Sequence, residues 1–174
     1  MPGDEVVATL VADFLAALAD KKKAAGHAAV ASAEFSESDA EIALKATIDP
    51  SGSWAQRFTE HGSGADVHSS FLHNGFVTAS HLASWSLLEQ RYEALLDFLQ
   101  ENFEGFKIRE RQVAKVRVEV PLLLVDDSPR KLSSMFGLIE ERHEELHVLE
   151  YSISQTSLEQ IFNSFAMQQT GEAL

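Results

Sequence analysis

The chain has 174 residues, 45% of them apolar, no cysteine and a formal charge of −13. That length suits one ordinary domain, or a small domain with an extension. The absence of cysteine excludes disulfides, thiolate zinc sites and thiol nucleophiles. The acidic balance argues against nucleic acid or an anionic membrane surface as the main partner, and no apolar run is long enough to span a bilayer.

The start, MPGDEVVATLVADF, has acids and no basic segment, unlike a secretory signal. Residues 4–25 read as an amphipathic helix: Val7, Leu10, Val11, Phe14, Leu15 and Leu18 recur at helical spacing. Asp4 and Glu5 suit its N-terminal dipole end, Lys21 to Lys23 its C-terminal end, and Gly26 a stop. Residues 27–39 are rich in Ala and Ser and read as a linker or a poorly ordered stretch. AEIALKATI (40–48) alternates, with Ile42, Leu44, Ala46 and Ile48 on one side, and predicts a strand. DPSGS (49–53) breaks the chain. Residues 54–83 carry mixed signals, with Asn74-Gly75 a candidate hairpin turn.

Beyond residue 84 the patterns sharpen. Ser86-x-x-Glu89 has the form of a capping box, followed by a stripe of Leu88, Tyr92, Leu95, Leu96, Leu99 and Phe103 that ends at Gly105. FKIRERQ (106–112) and AKVRVEVPL (114–122) alternate and predict two antiparallel strands with one wet face. Ser128-Pro129 has the form of an N-cap with proline at the first helical position, and Leu132, Met135, Phe136 and Ile139 make the next stripe. LHVLEYSIS (146–154) predicts a strand. Thr156-x-x-Glu159 predicts a second capping box, with Leu158, Ile161, Phe162 and Phe165 as the last stripe and Gly171 as the stop. The expected class is α+β. The order from residue 40 is β-α-β-β-α-β, a ferredoxin-like split βαβ sheet, with an extra C-terminal helix and an N-terminal helical extension. In domain terms, 1–39 is the extension and linker, and 40–170 the ferredoxin-like domain with an insert at about 50–83.

One catalytic pattern needs weighing. HEELH (143–147) has the H-E-x-x-H form of zinc proteases, which need both histidines one turn apart on one helix. Here four glutamates, Glu140, Glu141, Glu144 and Glu145, crowd the motif, and the helical stripe gives way to alternation between the two histidines. His143 therefore reads as a helix C-terminal histidine and His147 as the first residue of a strand. His61, His68, His73 and His81 fall at irregular spacing, and no phosphate loop, dinucleotide fingerprint or nucleophile elbow occurs. The residues themselves point to no catalytic, cofactor-binding or metal site.

One stretch says more. LHVLEYSISQTSLEQIFNSFA (146–166) resembles the end of ABC-A subfamily lipid transporters, where a strand opening Leu-His leads into a helix carrying Val-Phe-Val-Asn-Phe-Ala. Leu146, His147, Tyr151, Ser152, Ser154, Gln155, Thr156, Leu158 and Gln160 keep their types. Ile161, Phe162, Phe165 and Ala166 keep the apolar frame, while Asn163 and Ser164 depart from it. The two strands at 106–121 and the helix at 128–141 extend the resemblance upstream. It implies a cytoplasmic regulatory domain of ferredoxin-like fold, on the cytosolic face of a membrane when part of a transporter. It also implies partners: the nucleotide-binding domains, or the paired regulatory domain of the other half. The function expected is therefore non-catalytic bracing or coupling of nucleotide-binding domains. The alternative is a free-standing ferredoxin-like domain that binds a small ligand or forms homo-oligomers.

Overall fold

Ser36 decides the first departure from those expectations. In the computed structural model, which describes residues 4–24, 33–121 and 131–154, its hydroxyl accepts from Asp39 N–H at 3.2 Å, and the Asp39 carboxylate accepts from Ser36 N–H at 3.4 Å. This reciprocal box starts helix α2 (Glu37–Thr47) inside the segment whose alternation predicted a strand at 40–48. The same residues also fit a helix. Ala40, Ala43 and Leu44 fall on one buried face, the alanines favour helix, and Lys45 pairs with Glu41 one turn back. Part of the expected 27–39 linker is likewise ordered: Glu34–Phe35 forms strand β1.

The chain divides into two units, Met1–Val120 and Pro121–Leu174. In the first, α1 (Asp4–Ala24) lies where the stripe put it, with acids in its first turn and lysines in its last. Phe14 and Leu18 are buried in a core shared with Phe35, Leu44, Trp54, Phe58, Val67, Val77 and Leu82, so this helix is part of the unit's core and not a separate extension. The break at 49–53 is built on Asp49. Its carboxylate accepts from Trp54 N–H at 2.7 Å and from the hydroxyls of Ser51 and Ser53, and so starts a 3-10 turn, Trp54–Arg57.

Helix α3 (Ala65–Asn74) comes next, and Asn74-Gly75 closes it instead of forming a hairpin. Gly75 has φ 77° and donates to Phe71 C=O at 2.9 Å. A left-handed glycine serves a hairpin turn and a helix C-terminus equally well, so the dipeptide could not discriminate. Strand β2 (Val77–Thr78) then pairs antiparallel with β1, Phe35 opposite Val77.

Helix α4 (Ala79–Asn102) starts earlier than its expected box. Its N-cap is Thr78, whose hydroxyl accepts from His81 N–H at 3.2 Å. Ser86 and Glu89 lie inside the helix and are buried; the Ser86 hydroxyl turns back to Leu82 C=O at 2.7 Å. Phe98, Leu99 and Phe103 bury the far end of the expected stripe, and the helix stops at Asn102 beside the Gly105 turn. The two alternating runs are the expected hairpin, β3 (Lys107–Gln112) and β4 (Lys115–Glu119). The register sets Ile108 opposite Val118 and Arg111 opposite Val116, with a bulge between Ile108 and Glu110.

In the second unit α5 (Leu132–Arg142) buries Met135, while Leu132 and Phe136 stay exposed. Lys131 is its N-cap; Ser128-Pro129 lies outside the described residues. The strand expected at 146–154 is not formed there: 143–147 is a turn and 148–154 carries no regular structure. The turn explains it, because His147 takes φ 53° and Val148 N–H donates to His143 C=O at 2.8 Å, which closes a loop where the strand would have to begin. The described part of the chain is thus α+β, with five α-helices, one 3-10 turn and two separate two-stranded sheets.

Candidate interaction site

Glu89 is the buried charge around which the first unit is organised. It is 1% exposed, in the middle of α4. One oxygen accepts from Arg57 Nη1 at 2.5 Å and from Ser63 Oγ at 3.0 Å, and the other is held by Arg111 Nη2. Arg57 comes from the 3-10 turn and also reaches Glu93; Arg111 comes from β3. Each guanidinium lies over an aromatic ring, Arg57 at 4.8 Å from the Trp54 centroid and Arg111 at 3.7 Å from that of Tyr92. Trp85 Nε1 donates to Ser63 C=O at 3.0 Å, which fixes the loop that delivers the Ser63 hydroxyl. A carboxylate this deep needs charged or hydrogen-bonding partners, and each of its oxygens has at least one. Burial pulls the Arg57 pKa down, but its bonds to Glu93 and Glu89 outweigh this and hold it above the ordinary value.

The cluster ties three elements together: the turn after α2, α4 and the β3–β4 hairpin. The hairpin then presents two unlike faces. Ile108, Val116, Val118 and Arg111 share the half-buried one, while Lys107, Glu110, Lys115, Arg117 and Glu119 share the exposed one. Arg109 at the bulge bonds the Glu119 carboxylate across the ribbon. That bond lowers the pKa of Glu119 and raises that of Arg109. Val113 at the tip is 70% exposed. Such a ribbon, tied to α4 through Arg111 and exposed on one face among the described residues, is suited to binding another protein segment.

Of the residues singled out in the sequence, Tyr151 is described. Its hydroxyl donates to Glu140 Oε2 at 2.7 Å, which raises its pKa, and its ring rests on Phe136 with centroids 5.9 Å apart. Gln155, Thr156, Ile161, Phe162, Asn163, Ser164, Phe165 and Ala166 lie outside the described residues. HEELH is not a one-helix pair of ligands: α5 ends at Arg142, His143 is its C-cap with Nδ1 2.7 Å from Glu140 C=O, and His147 sits in the following turn. Among the described residues no group of three or more His, Asp or Glu could hold a metal ion, and no helix is long and apolar enough to cross a membrane. The Glu89 cluster was missed in the sequence. Its one local signal, a glutamate three residues after a serine, reads equally as a helix start, and its arginines lie far off in the chain.

The described architecture is that of an α+β module with a charged, open ribbon. Residues 83–155 match the family described as ABCA1-like, C-terminal R1 regulatory domain, so the resemblance to ABC-A subfamily regulatory domains holds over that segment, which includes most of α4, the hairpin and α5. The chain is also similar to the retinal-specific phospholipid-transporting ATPase ABCA4 of Mus musculus and of Homo sapiens, each 37% identical over 73 residues, and to that of Bos taurus, 36% identical over 72 residues. These stretches cover 42%, 42% and 41% of this chain, which spans only 3% of the length of each relative. No solved structure matches the chain.

Proposed function

We propose that the chain acts as a regulatory, protein-interaction module of an ABC-A-type phospholipid transport system, on the cytosolic face of the membrane. It has no catalysis of its own, and it braces or couples nucleotide-binding domains. The match over 83–155 carries this reading. The geometry supports it: the matched segment contains both the buried Glu89 anchor and the hairpin that anchor holds out. The order helix, strand, strand, helix from α4 to α5 supports an α+β reading of the regulatory segment. The earlier helices then serve as the support from which the ribbon is presented.

The test is binding of the whole chain to purified nucleotide-binding domains of an ABC-A-type transporter, with their ATPase rate followed in parallel. The expected outcome is saturable binding in the micromolar range and a changed rate, both weakened in Arg111→Ala. Absence of binding at about 100-fold higher concentration, with the chain folded, would overturn the reading.

A further inference from the structure

The two edges of the hairpin are not equivalent. β3 carries the bulge between Ile108 and Glu110, and a bulge breaks the regular row of backbone groups that an added strand needs. β4 is a regular run, Lys115-Val116-Arg117-Val118-Glu119, and among the described residues it pairs on one side only, with β3. An edge of this kind selects its partner by the side chains that fall opposite one another.

We infer that β4 is a self-complementary edge, which pairs antiparallel with β4 of a second copy of this chain so that Val118 lies opposite Val118. In that register Arg117 meets Glu119 twice and Val116 meets Val120 twice, so every pair from Val116 to Val120 is either opposite in charge or apolar. The neighbouring registers that keep each face together each bring like charges opposite one another. Centring on Arg117 sets two arginines opposite each other, although it also sets Lys115 opposite Glu119 twice; centring on Val116 opposes Lys115 to Arg117 twice, and centring on Glu119 opposes two glutamates. Like charges directly opposite destabilise a strand pair, so the Val118-centred register is the one of the four that combines two opposite-charge pairs with no like-charge pair. Pro121, which has no N–H to donate, falls opposite Lys115 and marks the end of the paired stretch.

The hairpin register extends the match across both ribbons. Lys107 faces Glu119, and Glu110 faces Arg117, within one copy. The four-stranded sheet β3–β4–β4–β3 therefore reads Lys107, Glu119, Arg117, Glu110 along one row, with alternating sign. The opposite face carries Ile108, Val118, Val118, Ile108 in a single apolar row. The two-fold axis passes beside Val118, as a symmetric dimer requires. This inference stands on the strand itself and does not depend on the transporter reading.

A contact of this size is weak, so association is followed by sedimentation equilibrium and light scattering on the full chain up to about 1 mM. Salt near 0.15 M limits the long-range repulsion between two acidic copies to about 8 Å. The expected result is a reversible monomer–dimer equilibrium. Arg117→Glu and Glu119→Arg should each weaken it at least about tenfold, since each turns two attractive pairs into repulsive ones, and an equimolar mixture of the two variants should restore it as a heterodimer. Because the chain has no cysteine, Val118→Cys should give a disulfide-linked dimer on mild oxidation. Lys115→Cys, displaced from its own copy by about 20 Å in this register, should not. That cross-linking pair keeps the test decisive if a charge variant fails to fold. A monomer throughout the range, a dimer indifferent to both charge variants, a mixture that does not recover, or equal cross-linking at both cysteine positions would each overturn the inference.

Discussion

Glu89→Gln removes one negative charge from a fully buried position and leaves the shape of the side chain nearly unchanged. Its magnitude can be worked from the contacts. The carboxylate accepts hydrogen bonds from Arg57, Arg111 and Ser63, and a bond involving a charged group is worth about 1 kcal/mol more than a neutral one. Breaking a buried ion pair outright costs about 3–5 kcal/mol. That is a ceiling here, because the two guanidiniums remain 28% and 24% exposed and regain hydration, and Arg57 keeps Glu93. The expected loss is about 2–3 kcal/mol, or a Tm lower by about 5–10 °C for a chain of this size. Urea titration and thermal melts followed by circular dichroism measure it. Hydrogen exchange over 107–119 should rise at the same time, since Arg111 is the hairpin's side of the anchor. A loss below about 0.5 kcal/mol, the range of ordinary surface changes, would refute the claim that this carboxylate organises the unit.

The local geometry sets three further outcomes. Thr78→Ala should cost about 1 kcal/mol as a lost N-cap, whereas Ser86→Ala should stay within about 0.5 kcal/mol because Leu82 C=O keeps its helical bond; parallel urea titrations compare them. Gly75→Ala should cost about 1–2 kcal/mol by thermal melt, from backbone strain at φ 77° alone, since a Cβ there meets nothing. Burial pushes the Asp49 carboxyl up, but its hydrogen bonds from Ser51, Trp54 and Ser53 outweigh this and lower the pKa. The stability it contributes is therefore full above the unfolded value of about 3.9 and is lost as pH falls through the lower folded value. Melts from pH 6 down to about 2 should thus show a shallower acid loss in Asp49→Asn than in the natural chain.

What was legible in the sequence was what a single element decides for itself. The hairpin alternates because one of its faces is wet, and α1 repeats its apolar residues because one of its faces is buried; both patterns survive in the structure. The misreadings came where two conformations shared a pattern. Ile42, Leu44, Ala46 and Ile48 alternate, yet Ala40, Ala43 and Leu44 also make a helical face, and the Ser36–Asp39 box settles the choice from outside the run. Ser86-x-x-Glu89 has the form of a cap, but a cap needs free N–H groups, and those lie at the helix start eight residues earlier, where Thr78 stands.

The Glu89 cluster marks the limit of such reading. A glutamate on the buried side of a helix is a local contradiction, and nothing within a few residues of it resolves the contradiction. The resolution is tertiary: Arg57 arrives because Asp49 starts a 3-10 turn that carries it, and Arg111 arrives because the bulge between Ile108 and Glu110 adds one residue to β3 and so returns Arg111 to the face of Ile108. A shift of β3 by one residue would turn Arg111 to solvent and strand a buried charge. The ion pair therefore does for the hairpin's register what apolar packing does elsewhere. The exposed face of β4 is held in phase by the same constraint, so the alternation of Arg117 and Glu119 along its free edge is fixed from inside the unit before any partner arrives.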